Sequence, residues 1–245
     1  MTRFVKRNLH GVGIGTDEFG NQFLLDLDNF IDNEVYLQGS FETQNITIFE
    51  DLTTKKKCKI FIDIGANLGF YTIFFASRPN IEKVYAFEPD PYNFLQLNAN
   101  IFLNNLHDKI VPQNVALSSQ NGEAILYLSR KRQGYENFKL NTGTSSMIFD
   151  KQRHSDQATI AIQTRRLDDL IGIENHSAAI KIDVEGHEYE VLKGMDNFLK
   201  KNQCVVLLEI FQENFDNINW YLKKIDYRLL NSVTLLDDNY IYLKD

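Results

Sequence analysis

The sequence predicts a doubly wound α/β fold: a mostly parallel sheet covered by helices on both faces, with an antiparallel last strand and an inserted β-hairpin. Three observations carry this. Short apolar runs of strand type alternate with helical segments from Cys58 onward. The alternation pauses once, at two period-two segments separated by a long polar stretch. The last two strands lie too close together for a helix to cross between them. Strands alternating with helices imply a parallel sheet buried on both sides, and a tight connection makes neighbouring strands antiparallel.

Residues 1–57 lack strong periodicity and are rich in Gly, Asn and Asp. They read as short strands and turns followed by a helix near 43–54, and Gly11-Val12-Gly13-Ile14-Gly15 reads as a turn. Ile60-Phe61-Ile62 is a short buried strand. A mostly apolar helix follows over 68–76 and is stopped by Pro79. Val84-Tyr85-Ala86-Phe87 is the second strand. Pro91 opens a helix to Asn104 with Phe94, Leu97 and Ile101 on one face. The third strand is expected over 110–117. Strands at 124–128 and 159–164 form the hairpin, and the polar stretch 130–156 joins them as a long loop. Alternation resumes with a strand at 178–182, then a helix carrying Val191, Leu192, Met195, Phe198 and Leu199 at helical spacing. A strand at 205–208, a helix around 217–224 and short strands at 228–230 and 240–243 close the chain. The expected organisation is an N-terminal unit, 1–57, packed on a domain spanning 58–245 with an insert at about 118–166.

Composition narrows the function. The chain has 245 residues, 43% hydrophobic and 24% charged, as one sizeable globular domain does. No apolar run approaches the roughly 18 residues of a membrane span, and the first residues lack the apolar core of a signal peptide. Cys58 and Cys204 have no metal-ligand spacing and read as small core residues. A reducing, cytoplasmic setting is expected. The formal net charge of −7 opposes a protein that grips nucleic acid through phosphates. Lys55-Lys56-Lys57 and Arg130-Lys131-Arg132 are short basic runs that suit solvated loops.

Ligands of open α/β sheets bind beyond the carboxyl ends of the strands, and polar residues cluster there. The first strand ends in Asp63-Ile64-Gly65-Ala66-Asn67-Leu68-Gly69 and runs into a helix. Gly65 permits a tight turn, and Gly69 is expected to let the helix pack closely on the strand. A dinucleotide fingerprint has a middle glycine that lets backbone approach a pyrophosphate. Here that place is Asn67, so a nucleoside without phosphates suits the turn better, with Asp63 accepting from an amino group on it. The second strand ends in Phe87-Glu88-Pro89-Asp90. Glu88 stands 25 residues after Asp63 and 19 after Gly69, the place of an acidic residue that bonds ribose hydroxyls. Asp90 fits a helix cap. The next long strand ends in Lys181-Ile182-Asp183-Val184-Glu185-Gly186-His187-Glu188. Such a cluster is costly to bury for stability alone. Lys181 and Asp183 share a strand face and can pair, whereas Glu188 and Glu190 complement a helix dipole. Glu209 ends the following strand and faces the same crevice.

The ordered set from Phe61-Ile62-Asp63-Ile64-Gly65-Ala66-Asn67-Leu68-Gly69-Phe70-Tyr71-Thr72 through Phe87-Glu88-Pro89, Asn114-Val115-Ala116-Leu117, Leu167-Asp168 and Lys181–Glu188 resembles the FkbM-type methyltransferases. The resemblance runs from about Leu37 to Phe211, including Gly39-Ser40-Phe41-Glu42. It implies a seven-stranded Rossmann-like methyltransferase sheet and an enzyme that uses S-adenosyl-L-methionine, usually for O-methyl transfer to sugars, glycans or polyketides. By the same resemblance, Asp63, Gly65, Asn67 and Gly69 cradle the methionine end and Glu88 holds the ribose, with Tyr71 and Pro89 also in the cofactor site. Asn114 and Val115 lie beside the adenine, Phe41 and Glu42 close over the cofactor, and the N-terminal unit covers the site. The stretch 130–156, with Thr144-Ser145-Ser146, would line the acceptor site.

A hydroxyl acceptor calls for a base near neutral pH. His187 fits that role, Asp183 is the alternative, and Lys181 stands beside them. His10, His107 and His176 read as surface loop residues, and His154 lies in the inserted loop. No metal is expected, although Asp183 and Glu209 offer oxygen ligands. The acceptor is expected to be a small molecule or glycan, not nucleic acid. A nucleic-acid methyltransferase, a nicotinamide dehydrogenase and a non-catalytic cofactor-binding scaffold are the competing readings.

Overall fold

The computed structural model describes residues 10–129, 141–149, 158–231, 235–236 and 238–244. Arg130-Lys131-Arg132, His154 and the first nine residues lie outside the described residues.

The chain begins with a hairpin of β1 (Val12–Thr16) and β2 (Gln22–Asp26), then α1 (Phe30–Gln38) and α2 (Thr43–Lys55). Next come β3 (Ile60–Ile64), α3 (Phe70–Ala76), β4 (Lys83–Phe87), α4 (Pro91–Leu103) and β5 (Ile110–Gln113). The insert holds β6 (Ala116–Leu117), β7 (Gly122–Tyr127) and β8 (Thr159–Arg165). Then follow α5 (Leu167–Leu170), β9 (Ser177–Ile182), α6 (Glu188–Gly194), α7 (Asp196–Lys201), β10 (Gln203–Glu209), α8 (Phe215–Lys224), β11 (Tyr227–Leu229) and β12 (Asn239–Lys244).

Among the described residues, seven strands form the main sheet in the order β11-β12-β10-β9-β3-β4-β5. All neighbours from β10 to β5 are parallel, and β12 runs antiparallel between β10 and β11. The sheet is buried on both faces. Phe61, Ile73, Phe74, Leu97 and Phe49 pack on one side, and Ile62, Ile180, Leu192, Leu199 and Ile218 on the other. The predicted doubly wound α/β class is therefore observed, with the antiparallel last strand and the β7–β8 hairpin. The chain winds outward from β3 to β5, then returns to β9 on the other side of β3. That reversal leaves a crevice between β3 and β9, where such sheets bind ligands.

Local chemistry explains the elements that hold this crevice. All five residues of β3 are buried, as a central parallel strand requires. Helix α4 starts where the Asp90 carboxylate accepts from Tyr92 N at 2.9 Å and Pro91 occupies the first turn.

Several local expectations need correction. Gly11–Gly15 is not a turn: residues 12–16 form β1. A Cβ on Gly15 would lie 2.8 Å from Leu25 Cδ1, and one on Gly13 would lie 3.2 Å from Tyr36 Cε2, so these glycines make room for packed side chains. The strand expected over 110–117 breaks after Gln113, and Ala116–Leu117 pairs with β8 in a separate three-stranded sheet. An apolar run does not reveal which sheet each half joins. The helix after β9 is interrupted at Met195, giving α6 and α7. Helix α1 lies in the segment expected to hold only strands and turns, because its small amphipathic contrast leaves little periodic signal. No helix among the described residues is long and apolar enough to cross a membrane.

Candidate active site

A cavity of about 480 Å³ opens at the carboxyl ends of β3, β4, β9 and β10. That size suits a cofactor or small-molecule ligand. Its floor comes from the loops after these strands. Its roof comes from the start of α1, from Phe41 and Glu42 before α2, and from residues 141–147 of the insert.

The loop after β3 turns sharply because Gly65 and Asn67 adopt positive φ, +85° and +51°. A Cβ on Gly65 would lie 1.8 Å from the Asp183 carbonyl oxygen, so only glycine lets the β3 and β9 ends meet this closely. Asp63 is 1% exposed. Its Oδ2 accepts from Thr72 Oγ1 at 2.6 Å, while its Oδ1 has no hydrogen-bond partner among the described residues. Burial pushes its pKa up to about 6, against the pull of Lys181 and Thr72.

Glu88 is 5% exposed, and its two oxygens accept from Asn67 N at 2.8 Å and Asp90 N at 2.9 Å. It thereby locks the β3 and β4 loops together while lining the cavity. Burial outweighs these hydrogen bonds and raises its pKa to about 8.

On the β9 side, Lys181 Nζ pairs with Asp183 Oδ2 at 2.7 Å and lies 4.7 Å from the Tyr71 ring centroid. Burial opposes its charge, but Asp183, Glu42, Asp63 and Glu209 prevail and raise its pKa. Lys181 therefore stays an ammonium. The Tyr71 hydroxyl donates to Glu42 Oε2 at 2.7 Å. The Asp183 charge, followed by burial, raises the Glu209 pKa. His187 stands at the start of α6, its Nε2 3.0 Å from Ser118 Oγ. Burial lowers its pKa, so it is neutral near pH 7.

Twelve of the fourteen residues expected at the site line this one cavity: Phe41, Glu42, Asp63, Gly65, Asn67, Tyr71, Glu88, Pro89, Val115, Lys181, Asp183 and His187. The exceptions are Gly69 and Asn114. Gly69 (φ +94°) is crowded by Leu97 of α4, where a Cβ would lie 2.5 Å from Cδ1, so its close packing is against a helix and not the strand. Asn114 is exposed, and its Nδ2 donates to the Glu88 and Pro89 carbonyls at 2.8 and 3.0 Å. It braces the β4 loop from behind while Val115 faces the cavity.

The roof holds residues that local reasoning missed. Asn29 Nδ2 donates to Thr142 Oγ1 at 2.9 Å, and Thr142 N donates back to Asn29 Oδ1 at 3.4 Å. Asp32 accepts from Asn29 Nδ2 at 2.7 Å and also from Gln96 Nε2. The hydroxyls of Thr144, Ser145 and Ser146 shape the segment itself: they bond Ser129 Oγ, Ser129 N and the Glu185 carbonyl. An isolated Asn or Thr in a polar stretch carries no sequence signal for such long-range pairing.

The donor set can be tested against a ligand. The cavity presents many carboxyl groups, a paired Lys181 and a buried orphan oxygen on Asp63. This suits a nucleoside with hydroxyls and a positive charge, not a pyrophosphate. Among the described residues no group of three side chains is placed to hold a metal ion.

The chain is similar to known methyltransferases. Residues 63–229 match the methyltransferase FkbM domain family. Hexuronic acid methyltransferase AglP of Haloferax volcanii is 29% identical over 59% of this chain and 53% of its own length. Methyltransferase sdnD of Sordaria araneosa is 27% identical over 55% of this chain and 60% of its own length. The chain thus spans between half and two thirds of these curated relatives. The solved FkbM methyltransferase of Methylobacillus flagellatus KT has a TM-score of 0.50 at 18% identity, covering 76% of this chain and 44% of that one, a likeness of fold.

Proposed function

This chain belongs to the methyltransferase FkbM domain family, and we propose that it transfers a methyl group from S-adenosylmethionine to a hydroxyl of a sugar, glycan or related secondary metabolite. The observation that carries the reading is the pairing of Asp63, with its unpartnered buried oxygen, and buried Glu88 across one cavity at the switch point of the sheet. The hexuronic acid named for one relative supports a hydroxyl-bearing acceptor.

When bound, the cofactor supplies a methyl group already activated on a sulfonium. The chain's task is placement and proton removal. Glu88 accepts from the ribose hydroxyls. Asp63 accepts from an amino group, a charge-assisted contact that compensates its burial. Val115 and Pro89 line the part of the cavity that would take the rest of the nucleoside, and Phe41, Glu42 and Tyr71 would close over it. Lys181 holds Asp183 in one orientation through their ion pair. His187, neutral at pH 7, is the base that would take the proton of the acceptor hydroxyl.

Calorimetric titration of the purified chain with S-adenosylmethionine, S-adenosylhomocysteine and NAD⁺ tests the cofactor. Micromolar binding of the first two and none of NAD⁺ is expected. Preference for NAD⁺ would overturn the reading.

A further inference from the structure

Asn141 stands in the insert, far in sequence from the strand-end motifs. It is 2% exposed and lines the cavity, yet its Oδ1 has no hydrogen-bond partner among the described residues. Asn67 also lines the cavity, and its Oδ1 is likewise buried and without a partner among the described residues. An unpartnered buried oxygen is costly, and in a cavity it marks where a ligand donor belongs.

The two carboxamides converge at Gly143. A Cβ there would lie 3.1 Å from Asn67 Nδ2, 3.7 Å from Asn141 Oδ1 and 2.3 Å from Ile31 Cδ1. The insert reaches the β3 loop this closely only because residue 143 has no side chain. The Asn29–Thr142 pair of hydrogen bonds then fixes the approach from above.

Asp63 Oδ1 and Asn93 Oδ1 are further acceptors without a partner among the described residues, on side chains that line the same cavity. These oxygens ask for hydrogen-bond donors. A carboxylate or phosphate offers none, a hydroxyl offers one, and a primary ammonium offers three. Neighbouring Glu42 and Asp183 favour positive charge, and the Lys181 ammonium already pairs with Asp183. Resting on the reading of the cofactor above, we propose that Asn141 of the insert, together with Asn67, binds the α-ammonium at the amino-acid end of S-adenosylmethionine. The insert then belongs to the cofactor site as well as to the acceptor side.

The test is binding, not turnover. Wild type, Asn141→Leu and Asn141→Asp are titrated with S-adenosylhomocysteine and with 5′-methylthioadenosine, which lacks the amino-acid end. Asn141→Leu is expected to weaken S-adenosylhomocysteine about tenfold or more, the scale of a hydrogen bond to a charged group. It should leave 5′-methylthioadenosine within about twofold, which also reports a folded variant. Asn141→Asp, still an acceptor, should stay within about threefold of wild type for both. If Asn141→Leu does not fold, Asn141→Ser replaces it, since its hydroxyl is too short to reach. Equal loss of both ligands, or no loss of either, in a folded variant overturns the inference. Wild type that binds neither ligand overturns the cofactor reading instead.

Discussion

The floor and the roof of the cavity are built on different principles. On the floor, Asp63, Lys181 and Asp183 sit at the ends of adjacent strands, and the register places Asp63 directly opposite Lys181. Their positions follow from the backbone ladder. In the roof, two segments 113 residues apart meet through the Asn29–Thr142 side-chain pair, and Ser146 is tied to the Glu185 carbonyl. A ladder backed by a buried core is cooperative, whereas a few side-chain bonds contribute about 1 kcal/mol each. The floor is therefore suited to fixing chemistry, and the roof to admitting and enclosing ligands.

The sharpest break in this comparison is on the floor. His187→Ala should lower turnover about 10²- to 10⁴-fold, the range for a lost general base, with cofactor affinity unchanged. Because burial lowers the His187 pKa, its proton is lost at lower pH than for a free imidazole. The acid limb of the wild-type rate profile should therefore fall below pH 6.5, and the variant should lack it. A variant with full turnover would remove His187 from the mechanism.

Gly65→Ala should cost roughly 3 kcal/mol of folding stability in urea titration, from the positive φ and the clash with the Asp183 carbonyl. A neutral effect would mean that the β3 and β9 ends separate easily.

Glu88→Ala should weaken cofactor binding by about 1–3 kcal/mol. The same residue gives a pH signature. Ligand hydroxyls favour ionised Glu88, which burial holds near a pKa of about 8. Binding should then expel protons, and affinity should rise with pH toward 8. Calorimetry in two buffers of different ionisation enthalpy measures that release, which Glu88→Gln should abolish.

The smallest effect is expected in the roof. Asn29→Ala should cost about 1 kcal/mol of stability and speed amide exchange at Thr142, leaving Ile64 protected. Equal exchange at both sites would merge the two regions into one cooperative unit.

The contrast also decides what was readable beforehand. Floor residues announced themselves because Asp63, Glu88 and Asp183 each end an apolar run where a strand gives way to a loop. Gly65 stood out for the same reason. The sequence marks Gly69 as a turn residue but not its neighbour, since Leu97 belongs to a helix 28 residues later in the chain. Asn114 stands at the right strand end but points to the back of the β4 loop, a choice made by which carbonyls are free to accept. Asn29 and Asp32 carry no signal, because polar residues in a stretch without periodicity look like solvated loop, and Asn141 is marked only as part of the long stretch expected at the acceptor side.

By itself the sequence determined the alternation of strands and helices, the buried parallel sheet and the polar groups at its strand ends. Each of these follows from local periodicity, from the need to bury apolar faces, or from the cost of placing charge at a strand end. Only the tertiary structure decided that the apolar run after Ile110 divides between two sheets, that Glu42, Asp63 and Glu209 join Asp183 in favouring the Lys181 charge, and that the insert folds back over the β3 loop. Those outcomes depend on close approach between residues distant in the chain, set by van der Waals fit at Gly65 and Gly143 and by hydrogen-bond partners that no local pattern encodes.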